Sequence, residues 1–253
     1  MTTEPTEPTE PTDPTQTTLP SSFLEYKATA PATQIVPWAP TEGWSALLQQ
    51  RPQLLVDLES EIGEHGGIRR AFVHDRASGD PLTLFLAAMA WGFGTAGYGA
   101  TRVAKILSHP EAATKLERIV SVVQTDGAGE GWGELLDPSR SKIPRFGMAF
   151  GTKLLYFAGY HAPTDGPRPL ILDMFVRRSL ERLSDTMPLA GSTVWRNHYL
   201  GYLNAAKEWA ANPQWNATPE TVEFALFDLG KRPVDDEAVE LEEDVDAAPG
   251  DAP

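Results

Sequence analysis

The two ends of this chain have almost nothing to bury, and that confines the fold to its middle. Residues 1–20 read MTTEPTEPTEPTDPTQTTLP, near-copies of a Thr-Glu/Asp-Pro triplet. Proline at this density removes hydrogen-bond donors and favours an extended, solvated backbone. Residues 235–253 hold nine acids and no base, a run that repels itself and stays open. The pattern predicts a disordered Thr/Glu/Pro spacer over 1–22 and an extended arm over 23–43, where Phe23, Ile35 and Trp38 stand among Pro, Ala and Thr. It predicts a helical domain over 44–232 and a disordered acidic tail over 233–253.

The formal charge of −14 is unevenly shared: −4 lies in residues 1–20, −9 in residues 235–253, and −1 between them. All 21 Lys and Arg belong to the middle, so the sequence pI of 4.7 describes the tails and leaves room for a local basic face. Such tails confer solubility, or they imitate a DNA backbone and slow non-specific binding. The absence of cysteine excludes disulfides, thiolate metal sites and a cysteine nucleophile. A nucleophile must then be Ser, Thr, Lys, Tyr, His or a carboxylate. The five histidines show no metal spacing, and no metal or organic cofactor is expected. No basic stretch followed by an apolar run opens the chain, and no apolar run reaches spanning length. The expected location is the cytoplasm, away from membranes.

Within the middle segment the apolar spacing is helical and period-two alternation is nearly absent, which gives an all-α class. A first helix is expected from Ser45 through Pro52 to Ile62, ended by Gly66 and Gly67. Asp80-Pro81 is an N-cap followed by a first-turn proline, and the nearly unbroken apolar run to Trp91 marks 81–92 as a central core helix. The glycine-rich stretch after it is either loose or pressed close to something. Helical patterns resume over 102–107 and 111–124, a loop is expected over 127–133, and further helices over 152–160, 173–184, 194–211 and 218–229.

Chemistry concentrates between residues 141 and 183. The glycine-punctuated turn Gly147-Met148-Ala149-Phe150-Gly151-Thr152 leads into an apolar helix that Lys153 is expected to head, and Asp173 opens the next helix 20 residues later. Amide N–H groups at a helix start, joined to a tight turn, make a site for a phosphate oxygen. A lysine buried among apolar neighbours has its charged form disfavoured, and the free amine is a nucleophile. A carboxylate beside it can take the proton and stabilise positive charge developing on a sugar ring.

Gly147-Met-Ala-Phe-Gly-Thr-Lys153, followed by Ile171-Leu172-Asp173, resembles the helix-hairpin-helix DNA glycosylase superfamily, closest to the 8-oxoguanine DNA glycosylases. In that family the hairpin reads approximately Leu-Pro-Gly-Val-Gly-x-Lys. Residue by residue, Lys153 matches the nucleophile, Asp173 the aspartate and Gly151 the second hairpin glycine; Met148 and Ala149 stand where proline and the first glycine are usual. The resemblance implies a helix-hairpin-helix glycosylase-like fold, double-stranded DNA with a modified base as the partner, and a lysine Schiff base with strand cleavage as a second activity. The base is expected to be an oxidised purine or a modified base such as those of bacteriophage genomes, which gives a role in repair or in antiviral defence.

Around this pair, Phe150, Gly151, Thr152, Arg177 and Arg178 are candidates for DNA contact, the two arginines alternatively belonging to a solvated face. Trp91, Tyr98 and Phe93 either wedge into the gap left by an extruded base or simply pack. Trp195, Tyr199 and Tyr202, which recur at helical spacing, either wall a base pocket or belong to the core. Two rival functions remain: a non-catalytic DNA-binding or scaffold module of the same fold, and a helical protein unrelated to DNA whose acidic tail docks a basic partner.

Overall fold

The computed structural model describes Phe23 and residues 31–183, 194–213, 215 and 217–232. The calls on residues 1–22 and 233–253 therefore lie outside the described residues. The described chain is all-α apart from one pair of two-residue strands. Its helices are α1 (Glu42–Leu48), α2 (Pro52–His65), α3 (Arg70–His74), α4 (Pro81–Phe93), α5 (Gly99–Leu107) and α6 (Ala112–Thr125). They continue as α7 (Ala128–Leu136), α8 (Met148–Gly159), α9 (Met174–Leu183), α10 (Arg196–Ala210) and α11 (Pro219–Lys231). Strand β1 (Ile35–Val36) pairs antiparallel with β2 (Ile68–Arg69).

The core helix forms where the run from Asp80 predicts it. Asp80 Oδ2 accepts from the Thr83 N–H at 2.8 Å and from its hydroxyl at 2.7 Å, and Pro81 occupies the first turn, so the orphan donors of the helix start are met. Residues Leu84 to Trp91 are all buried. Helix α4 packs on α8, with α6 against both and α7 against α6 and α8, while α9 and α10 pack on α11.

Several expectations are corrected. The first predicted helix is two, α1 and α2, because the Pro52 ring cannot follow another helical turn; it starts a new helix after Arg51 leaves the helical conformation at φ −137°, ψ 55°. Residues 128–136 form helix α7 rather than a loop. The glycines there serve close packing: a Cβ on Gly131 would stand 2.8 Å from Val123 Cβ. Helix α5 begins at Gly99, three residues before the predicted Arg102. The arm is not simply extended, since it includes the 3-10 turn Pro31–Thr33 and the strand β1. Phe23 is fully buried against Trp209 and Trp215, and Trp38 meets Trp44 edge-on.

A buried ionic cluster joins the helices that flank the core. Arg70, 3% exposed, donates to Glu223 Oε2 at 2.7 Å, to the Tyr156 hydroxyl at 3.1 Å and to Gln34 at 2.7 Å. Burial pushes the Glu223 carboxyl pKa up, and Arg70 opposes that shift. Next to this cluster His74 packs edge-on against Tyr156, Phe157 and His161. Burial, then repulsion from His161 and Arg70, lowers its pKa to about 3. A histidine kept neutral in the fold but free to protonate when unfolded stabilises fully above the unfolded value of about 6.5, and that contribution is lost as pH falls toward 3. The melting temperature should therefore fall between pH 7 and pH 5, and His74→Phe should flatten that decline. An unchanged slope in the variant would contradict the assignment.

Candidate active site

The site is a buried ion pair. Lys153 Nζ donates to Asp173 Oδ2 at 3.1 Å and to the Ala149 carbonyl, one turn back, at 3.3 Å. Their side chains are 9% and 11% exposed. Asp173 divides its two oxygens. Oδ1 accepts from the N–H groups of Phe175 at 3.1 Å and Val176 at 3.2 Å and so caps α9, while Oδ2 is left to the amine. The aspartate is thus a cap and an oriented partner at once.

Asp173 is held by an extended run whose backbone is gripped by side-chain hydroxyls. Thr152 Oγ1 accepts from the Leu172 N–H at 2.9 Å. The Tyr199 hydroxyl donates to the Leu170 carbonyl at 2.8 Å and accepts from the Leu170 N–H at 3.3 Å, and Tyr202 donates to the Ile171 carbonyl at 3.0 Å. Loops lack the ladder that fixes a strand or a helix, so these bonds substitute for one. On the other side α4 comes so close that a Cβ on Gly92 would meet Lys153 Cδ at 2.9 Å and Phe150 at 3.3 Å. Phe150 lies 5.4 Å beneath the ammonium and stacks on Phe93 at 4.0 Å; Tyr98, half exposed, meets Phe93 edge-on.

This arrangement sits inside a sequence family. A family model described as "Putative 8-oxoguanine DNA glycosylase OGG-like protein" matches residues 30–227. The chain belongs to the OGG-like family. No curated protein and no solved structure matches significantly. Membership supports a DNA glycosylase at a coarse level, with DNA as the substrate class.

In the OGG-like chain the predicted site residues separate into those at the pair and those that support it. Lys153 does not head its helix: α8 starts at Met148, and Lys153 lies in the second turn, because Gly147 already turns extended and Gly151 N–H donates to the Gly147 carbonyl at 2.8 Å. Gly151 therefore offers no free amide to a phosphate. Its lack of a side chain admits Leu135, whose Cδ2 would lie 2.3 Å from an added Cβ. Thr152 is fully buried and grips Leu172, so it has no surface to give DNA; Tyr199, fully buried and stacked on Trp132, likewise works from inside. Trp91 is 4% exposed and packs edge-on against Phe157. Half-buried Arg178 turns toward the Gly230 carbonyl at 3.3 Å, and half-buried Arg177 donates its backbone N–H to the Asp173 carbonyl. Trp195 is 63% exposed and lines a surface groove with Arg196, Asn197 and Leu200, which includes neither Lys153 nor Asp173.

Sequence reasoning left open whether the run containing Gly92 was loose or closely packed, and it missed the Tyr202 bond and the buried carboxylate Glu134. Glu134 Oε2 accepts from Ser141 Oγ at 2.7 Å and Arg118 Nε at 3.1 Å, tying the 137–147 loop to α7. A charge among Trp132, Leu135 and Leu136 was the available signal. Stability tests the pair. Asp173→Ala removes a cap worth about 1 kcal/mol and leaves a buried ammonium unpaired, a loss of about 3–5 kcal/mol for such pairs. It should lower urea-unfolding stability more than Lys153→Met, which leaves Asp173 its two backbone donors. Equal stability of Asp173→Ala and the parent would show that the pair is not buried in solution.

Proposed function

We propose that this protein is a lysine-dependent DNA glycosylase with an associated strand-cleaving step, acting on an oxidised purine in duplex DNA. The single observation that carries the reading is the buried approach of Lys153 Nζ, inside α8, to Asp173 Oδ2, at the cap of α9, at 3.1 Å. The family description, which names 8-oxoguanine, supports the choice of base.

In the proposed reaction the target nucleotide leaves the stack. Asp173 accepts a proton from the Lys153 ammonium, and the freed lone pair forms a bond to the sugar C1′ as the C1′–N bond to the base breaks. The base departs with the bonding electrons and is protonated. Asp173, again anionic once it passes its proton on, stabilises the positive charge that develops on the sugar. Transfer of a proton from the alkylated Nζ to O4′ opens the ring and gives a Schiff base; loss of a C2′ proton then expels the 3′ phosphate, which leaves with the C–O bonding electrons. The half-exposed Tyr98, backed by the Phe93–Phe150 stack, offers an aromatic face for the gap left in the duplex.

Single-turnover base release from an 8-oxoguanine duplex tests this. Lys153→Gln and Asp173→Asn should each slow release by a factor on the order of 10³ or more, with duplex affinity kept within about threefold because neither side chain contributes surface charge. Base release by Lys153→Gln within tenfold of the parent would remove the lysine from the chemistry and favour the scaffold reading.

A further inference from the structure

Basic side chains collect on one flank of the loop that leads into α8. Arg102 donates to the Arg145 carbonyl at 3.3 Å and its guanidinium lies 5.8 Å from the Phe150 ring; Lys115 donates to the Lys142 carbonyl at 3.2 Å. Lys105, Lys142 and Arg145 are exposed and form no ion pair with a described acid. Arg145 holds a left-handed backbone at φ 66°, a conformation disfavoured for a non-glycine residue. The acids of the loop's other side are taken up elsewhere: Glu130 by Arg140 and Arg196, and Glu134 by Arg118 and Ser141. Glu111, paired with Lys115, is the acid that meets this flank among the described residues.

The same chain supplies a matching anion. With −1 over the middle segment and −9 over residues 235–253, the strongest charge complement of the flank is intramolecular. The described chain ends at Arg232, just past α11. The residues beyond it can extend about 70 Å to the last residue and about 46 Å to Asp246, at about 3.3 Å each, against a domain of about 40 Å across, so the distal half of the segment has the length to cross the domain. A tethered segment acts at an effective concentration on the order of millimolar.

We propose that the acidic segment 235–253 occupies the flank formed by Lys105, Lys142 and Arg145 and competes there with duplex DNA. The docking stands on charge and reach alone, whereas the competition rests on the glycosylase reading. By mass action a competitor at the flank raises the apparent Kd of damaged and undamaged duplex alike, so the segment restrains DNA binding as a whole.

The chain has no cysteine, so full-length Asp246→Cys takes a single nitroxide label. At about 50 mM salt, paramagnetic broadening should concentrate on the amides of residues 105, 142 and 145, and it should collapse at about 500 mM. Replacing the nine acids by Asn and Gln in the full-length chain should raise affinity for an undamaged duplex about tenfold at the lower salt, the gap closing at the higher. Broadening spread evenly or centred elsewhere overturns the docking. Flank broadening with duplex affinity unchanged by the nine substitutions overturns the competition. If neither chain binds duplex while the broadening persists, the docking stands and the glycosylase reading is what fails.

Discussion

The grip of buried hydroxyls on the backbone of Leu170 to Leu172 is the constraint on which the candidate site depends. This run belongs to no helix or strand, so no ladder fixes its direction. Thr152 reaches it from α8, and Tyr199 and Tyr202 reach it from α10. Because Thr152 precedes Lys153 in the chain and Leu172 precedes Asp173, the bond from Leu172 to Thr152 sets the lysine and the aspartate side by side. The α9 cap then turns the carboxylate so that one oxygen faces the amine.

Dryness is the second condition, and glycine supplies it. Gly92 lets α4 close over the aliphatic part of Lys153, and Gly151 lets α7 press against α8 from another side. The result is an ammonium with a carboxylate, a carbonyl and an aromatic face around it, on a side chain only 9% exposed. A pair buried this way is a costly arrangement for stability alone, since well-packed apolar side chains of similar size do as well or better. That cost is consistent with a pair kept for chemistry.

The sequence made the helical class and the core helix legible because Asp80-Pro81 and the apolar run after it are local signals. Lys153 and Asp173 were legible as a motif with spacing, and the structure does bring them together. What the sequence concealed was where the helix begins. Gly147 to Thr152 reads as a turn that offers its amides, yet Gly147 already closes the turn and places Gly151, Thr152 and Lys153 inside a helix facing the core. Tyr199, at helical spacing with Trp195 and Tyr202, gave no indication that its hydroxyl would hold a loop rather than line a pocket. The glycines of 127–133 misled for the same reason: a missing side chain signals either a bend or a close approach, and only the partner surface, Val123 and Leu155 here, tells which.

The central claim is that one buried amine forms a bond to the sugar, and its covalent product can be located. Borohydride reduction during reaction with an 8-oxoguanine duplex, followed by proteolysis and mass-spectrometric mapping of the adduct, measures this directly. The account predicts a reduced sugar remnant on the peptide containing Lys153 and on no other amine. A remnant on another lysine or on the terminal amine, or base release with no adduct on any residue, would contradict it.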